Sequence, residues 1–182
     1  AGANGKSVNN YDRRYRGFTT LREAITDSIN IVTVKTLAQA GVSLGWQYVQ
    51  EYGFTTVDSR DMNEALALGG ITQGVSNLEL TAAYAAIANQ GTYIKPKFYT
   101  KILDHDGNVL IDNTTPESHT VIKDTTAWLL TSAMEDVMTS GTGTSAYFGS
   151  AMAQAGKSGT TASSRDALFA GYTPYYTCAV WG

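Results

Sequence analysis

The chain has 182 residues, 43% of them hydrophobic and 16% charged, with a formal net charge of -3. That suits one globular domain, or a large piece of one, with a buried core, and the lack of any basic run speaks against nucleic acid as the main partner. One cysteine, Cys178, excludes an intrachain disulfide framework and a cysteine-based zinc site, and no apolar run reaches bilayer-spanning length.

The chain opens on Ala1 without a signal-peptide pattern, so we expect an internal or processed piece. Residues 1–19, rich in Gly, Asn and Arg, lack helical periodicity and read as an extended lead-in. Thr20-Leu21-Arg22-Glu23 is a capping box before an apolar-periodic run that stops at Gly41. Ser28-Ile29-Asn30 inside that run favours caps and turns, so a helix, a break at Ser28–Asn30 and a second helix are expected. Ser43 is expected to cap a short helix ending at Gly53, followed by a helical turn over Asn63–Leu68 and a loop over Gly69–Gly74. Ser76-Asn77-Leu78-Glu79 is a second capping box. It opens an Ala-rich helix closed by Gly91, whose small residues suggest close packing and full burial. Residues 97–112 read as two strands joined at Asp106-Gly107. Asp124 is expected to cap a helix through Thr139, and "SGTGTSAYFGS" (Ser140–Ser150) reads as a Gly-rich loop. Strand-like runs follow over Gln154–Thr161, Ala167–Tyr172 and Tyr176–Trp181, the last two joined at Thr173-Pro174. A helical block followed by an antiparallel sheet is an α+β signature.

Two chemistries compete for "AGKSGTTASSRDALFAGYTP" (Ala155–Pro174). With the residues before it, Gly156-Lys157-Ser158 fits a relaxed phosphate-loop pattern. That reading needs a buried strand before the loop and a helix after it, and neither flank fits. Read as a strand, the stretch alternates its side chains, placing Ser158 and Thr160 on one face with Gly159 on the other. Gly159 lets something approach the backbone closely, and Lys157 with two hydroxyls suits a carboxylate. The Thr160 amide suits a developing oxyanion. Ser28 and Asn30 offer a hydroxyl for proton passage and an amide for substrate orientation.

These residues, in this order, resemble the transpeptidase domain of class A (bifunctional) penicillin-binding proteins. That family's motifs run Ser-x-x-Lys, Ser-x-Asn, Lys-[Ser/Thr]-Gly. The second stands here as Ser28-Ile29-Asn30 and the third as Lys157-Ser158-Gly159, followed by Thr160. The blocks "NYDRRYRGFTTLREAITDSINI", "ALALGGITQGVSNLELTAAYAAIANQGTY", "SGTGTSA" and "AGKSGTTASSRDALFAGYTPYYTCAVWG" also resemble the family, in its order. The resemblance implies an antiparallel sheet packed with helices, a partial transpeptidase or serine beta-lactamase-like fold. It implies peptidoglycan D,D-transpeptidation of stem peptides ending in D-Ala-D-Ala, with beta-lactams acylating the same serine. Ser28 would relay a proton and Asn30 would hold the substrate amide. Lys157 would supply positive potential and help deprotonation. Ser158 and Thr160 would bind the carboxylate beside Gly159, with the Thr160 amide in the oxyanion hole. "SGTGTSA" would line the rim.

No serine here is followed three residues later by lysine. The resemblance therefore places the nucleophile upstream of Ala1 and a terminal helix after Gly182. Residues 1–182 would be the C-terminal part of the domain, unable to acylate alone and completed by another chain or segment. The parent protein would be anchored in the bacterial membrane upstream of this chain, facing outward, and a glycosyltransferase domain is implied only by the class A resemblance. A non-catalytic relative that binds peptides or partners is the alternative. A penicillin-hydrolysing enzyme would need a base to activate water, and no residue suits. No cofactor is implied, and no His, Cys or carboxylate cluster has metal-ligand spacing. His105 reads as a solvated loop residue and His119 as structural at a strand start, so no histidine near either motif supports a triad; Asp27 reads as solvent-facing and Arg165-Asp166 as a turn. Cys178, Tyr84 and Trp128 read as core.

Overall fold

A computed structural model describes residues 7–161 and 165–182. The first six lead-in residues and positions 162–164 lie outside them. Residues 7–20 form turns and extended chain without a regular element. They are anchored by Asn10, whose amide donates to the Arg14 carbonyl at 2.6 Å and whose Oδ1 accepts from the Ile31 N–H at 3.2 Å.

Helix α1 spans Leu21–Thr26 behind the reciprocal Thr20–Glu23 capping box. Helix α2 spans Asn30–Ala40, so the break lies at Asp27–Ile29 and Asn30 is the first helical residue. Helix α3 spans Val42–Glu51 and starts from Gly41 at φ 102, not from a Ser43 cap. A left-handed glycine ends one helix and turns the chain into the next, leaving Ser43 inside the first turn. Short 3-10 turns cover Ser59–Asp61 and Glu64–Leu68, the latter capped by Asn63. Helix α4 spans Asn77–Ala88 behind the Ser76–Glu79 box. Ala82, Ala83 and Ala86 are buried, but Leu78 is 42% exposed, so burial is confined to one stripe and the helix is not enclosed.

Strand β1 (Thr92–Ile94) pairs antiparallel with β4 (Ser118–Thr120), while β2 (Lys101–Leu103) and β3 (Val109–Asp112) form the expected hairpin. Helix α5 spans Asp124–Thr139. Lys123 is its N-cap; Asp124 is the first helical residue, its carboxylate accepting from the Thr125 N–H at 2.7 Å. There the acid complements the helix dipole rather than capping it. The last sheet runs β5 (Ala155–Thr160), β6 (Ala167–Tyr172), β7 (Thr177–Trp181), antiparallel throughout. The sequence therefore folds as α+β, with β5 at one edge of that sheet.

The packing that fixes β5 lies on its helical side. Ala155 and Tyr172, paired across β5 and β6, pack with Met134 of α5 against Ile25, Tyr84, Ile87 and Leu130. The Tyr172 hydroxyl bonds Thr131 Oγ1 at 2.7 Å, and burial pushes its pKa up to about 12. A second cluster joins Ala82, Ala86 and Tyr93 to Tyr52 and Val121. The Trp128 and Cys178 expectations are corrected. Helix α5 buries Ala127, Met134, Val137 and Met138, and Trp128 lies off that stripe, 68% exposed. Cys178 is also exposed. Strand alternation puts it, with Gly171 and Gly156, on the sheet face opposite Ala155 and Tyr172.

Candidate active site

Ser28 and Lys157 lie 129 residues apart in sequence and meet directly: Lys157 Nζ donates to Ser28 Oγ at 2.8 Å. The same ammonium donates to the Ser158 carbonyl at 3.0 Å. Half-burial between the sheet and the helices holds the Lys157 pKa below the ordinary lysine value, because desolvation disfavours the charged form. The segment 155–160 is a strand followed by another strand, not a loop opening a helix. That arrangement does not fit a phosphate loop.

The Ser28 backbone explains how a hydroxyl comes to face that strand. Helix α1 closes with Ile29 N–H donating to the Ala24 carbonyl at 2.8 Å and Ser28 N–H to the Ile25 carbonyl at 3.3 Å. This is a Schellman closure, whose left-handed position glycine normally fills. Ser28 fills it instead, at φ 55. Ile29 and Ala24, at the two positions that make this motif's apolar contact, are both buried. A serine in this conformation costs roughly 1–2 kcal/mol relative to glycine. We therefore expect Ser28→Gly to leave the melting temperature equal or higher. In the complete enzyme proposed below it should slow acylation by penicillin about 100-fold. Thermal melting beside acylation kinetics checks this; a drop of several degrees would contradict it.

Asn30, on the first turn of α2, donates its side-chain N–H to the Asn9 carbonyl at 3.0 Å. An amide has two N–H donors and a carbonyl acceptor, so this bond orients it while leaving capacity for a substrate. Asp27 is exposed and pairs with Arg16, which also bonds Asp12 at 3.1 Å. The lead-in thus grips both sides of the Ser-x-Asn turn.

On β5, Thr161 N–H donates to the Asp166 carbonyl at 3.1 Å, toward β6. Antiparallel alternation then turns the Thr160 N–H toward the open edge of the strand. Ser158 and Thr160 share the face opposite Lys157 and Gly159. Among the described residues, a side chain at Gly159 would touch only Leu168 Cβ, at an ordinary 3.6 Å. Protein packing demands glycine elsewhere on this sheet: at Gly156 a Cβ would lie 2.7 Å from the Phe169 ring. Asp166 fixes the far end of β5, accepting from Trp181 Nε1 at 2.8 Å and from Thr161 Oγ1 at 2.9 Å. Arg165-Asp166 thus does more than turn the chain. His119 bonds the Glu51 carbonyl at 2.8 Å beneath Tyr93, and exposed His105 stands on the β2–β3 turn; neither is placed at the Ser28–Lys157 pair.

The residue that sequence reading missed is Thr142, in "SGTGTSA". Ser158 Oγ donates to Thr142 Oγ1 at 2.7 Å, and Thr142 N–H donates to the Thr26 carbonyl at 3.3 Å. The loop therefore bridges the end of α1 to β5. Among the described residues no group of His, Cys, Asp and Glu is placed to hold a metal ion, and no helix is long and apolar enough to cross a membrane.

The model of the penicillin binding protein transpeptidase domain family matches residues 2–181. Penicillin-binding protein 1F of Bacillus subtilis (strain 168) is 40% identical over 178 residues, 94% of this chain and 24% of that protein. The chain thus spans about a quarter of that relative's length. The crystal structure of penicillin-binding protein 1A from Haemophilus influenzae superposes with a TM-score of 0.85 at 24% identity, covering 100% of this chain and 32% of that one. The PonA1 protein of Mycobacterium tuberculosis in complex with penicillin V superposes with a TM-score of 0.75 at 23% identity, covering 100% and 52%.

Proposed function

The chain belongs to the penicillin binding protein transpeptidase domain family, and from that premise we propose that it forms one wall of a serine D,D-transpeptidase site. The Lys157 Nζ–Ser28 Oγ bond of 2.8 Å is the observation that carries this reading. It puts a partly desolvated amine and a strained hydroxyl together beside a strand edge that can take an extended peptide. The substrate is a peptidoglycan stem peptide ending in D-Ala-D-Ala, and a beta-lactam takes the same place; the PonA1 protein was solved in complex with penicillin V, which supports a beta-lactam as ligand.

The nucleophile is a serine of a Ser-x-x-Lys motif outside residues 1–182, with that motif's lysine as general base. These residues are the C-terminal part of the domain in a longer membrane-anchored protein facing the outside of the cell. The serine oxygen attacks the carbonyl of the penultimate D-Ala, and the Thr160 N–H stabilises the oxyanion. Ser28, held by Lys157, passes a proton to the leaving nitrogen as the terminal D-Ala departs, which leaves an acyl-enzyme. The amine of a second stem peptide then attacks the ester, restoring the serine and forming the cross-link. Ser158 and Thr160 hold the substrate carboxylate within the positive potential of Lys157, and Asn30 orients the substrate amide. Intact-mass spectrometry with benzylpenicillin tests this. The complete protein gains one penicilloyl group on the Ser-x-x-Lys serine, and the isolated 182-residue chain gains none.

A further inference from the structure

We propose that Thr142 is a positioning residue for substrate-carboxylate recognition, acting through the Ser158 hydroxyl. The inference rests on the reading that Ser158 binds that carboxylate. Thr142 has no role in the mechanism above, yet the fold fixes it closely. A Cβ at Gly141 would strike the Thr26 carbonyl oxygen and lie 2.9 Å from Val137 Cα. At Gly143 it would lie 3.0 Å from Met138 Sδ and 3.1 Å from the Val137 carbonyl oxygen. Gly143 N–H donates to that same carbonyl at 2.9 Å. The two glycines thus seat the loop against α1 and α5, and the threonine between them reaches β5.

The Ser158 hydroxyl donates to Thr142 Oγ1 at 2.7 Å. A carboxylate only accepts hydrogen bonds, so a bound substrate requires Ser158 to turn its proton away from Thr142. Ser158 Oγ is then left as an acceptor, and the Thr142 hydroxyl, both donor and acceptor, reverses to donate to it. The resulting chain, Thr142 O–H to Ser158 O–H to carboxylate, polarises in one direction and strengthens the terminal bond. Valine has the shape of threonine and cannot make this reversal. Serine can.

The test measures second-order acylation of the complete enzyme by benzylpenicillin and by its methyl ester. Thr142→Val should slow reaction with the acid about tenfold and leave the ester rate unchanged, and Thr142→Ser should stay within about twofold of wild type on both. Melting temperatures of the three proteins should agree. A purely structural role would slow acid and ester together. An unchanged acid-to-ester ratio in Thr142→Val, or in Thr142→Ala should the valine variant misfold, overturns the role of Thr142 while acylation stands. A wild-type complete enzyme that is never acylated overturns the functional reading, and this inference with it.

Discussion

Lys157→Ala in the complete enzyme should slow acylation by benzylpenicillin roughly 1,000-fold while leaving the fold intact. Two interactions disappear together. The donor to Ser28 Oγ at 2.8 Å is lost, so the hydroxyl no longer has a fixed orientation for proton transfer. The positive potential that draws the substrate carboxylate is lost as well. Stability should not follow, because the ammonium is partly desolvated and its removal relieves that cost. The pH profile carries a second signature. Burial lowers the Lys157 pKa from 10.5, so its charge is present below the lowered value and vanishes as pH rises through it. The alkaline limb of wild-type acylation should therefore begin below pH 10.5 and be missing from Lys157→Ala. Stopped-flow acylation across pH, with circular dichroism melting of both proteins, reads out each part. Unchanged kinetics would remove Lys157 from the site.

Gly159→Ala and Gly91→Ala should separate function from folding in opposite senses. Gly91 sits at φ 87, and its added Cβ would strike the Ile122 carbonyl oxygen while lying 2.9 Å from Ile122 Cγ1. The same residue accepts from the Val121 N–H at 2.8 Å, so the backbone cannot yield without breaking the link into β4. Strain and displacement together should cost about 2–3 kcal/mol, a fall of roughly 4–12 °C in melting temperature. Gly159 lies in a strand without a positive φ, and among the described residues its Cβ would meet only Leu168, at 3.6 Å. Alanine there should leave melting unchanged or slightly raised. Gly159 shares its strand face with Lys157, which holds Ser28, so a methyl group there should crowd the proposed site and lower acylation about 100-fold. A Gly159→Ala protein that acylates normally would show that close approach at this strand is not needed.

Much of this architecture was legible because its signals are local. Both capping boxes place helix starts to the residue, since the Ser/Thr and Glu that form them are three positions apart. The final three-stranded sheet was readable from strand-like runs of six to eight residues with turn chemistry between them. The β1–β4 pair was not. Each strand has three residues, too few for a period, and the partners are separated by the β2–β3 hairpin. Helix α3 starts at Gly41 because its positive φ turns the chain, which no cap residue announces. Trp128 and Cys178 were misread because residue type suggests burial while position on the element decides it.

At the site, spacing alone could not join Ser28 to Lys157, and only the resemblance of ordered motifs did so. Thr142 escaped for the reverse reason. Its block was read as rim, but a hydroxyl contact from a loop to a strand 16 residues on has no periodic trace. The left-handed serine at position 28 was also hidden, since its backbone is set by burial of Ile29 and not by its own preference.

The most direct measurement is the location of the penicilloyl group. The complete protein and the isolated 182-residue chain are each incubated with benzylpenicillin, weighed intact, and mapped by peptide mass spectrometry. The expected result is one adduct on the complete protein, at a serine of a Ser-x-x-Lys motif outside these residues, and none on the isolated chain. A stable adduct on Ser28, Ser158 or any other serine of the isolated chain would contradict the assignment of this chain as the Lys-Ser-Gly wall of a site whose nucleophile comes from elsewhere.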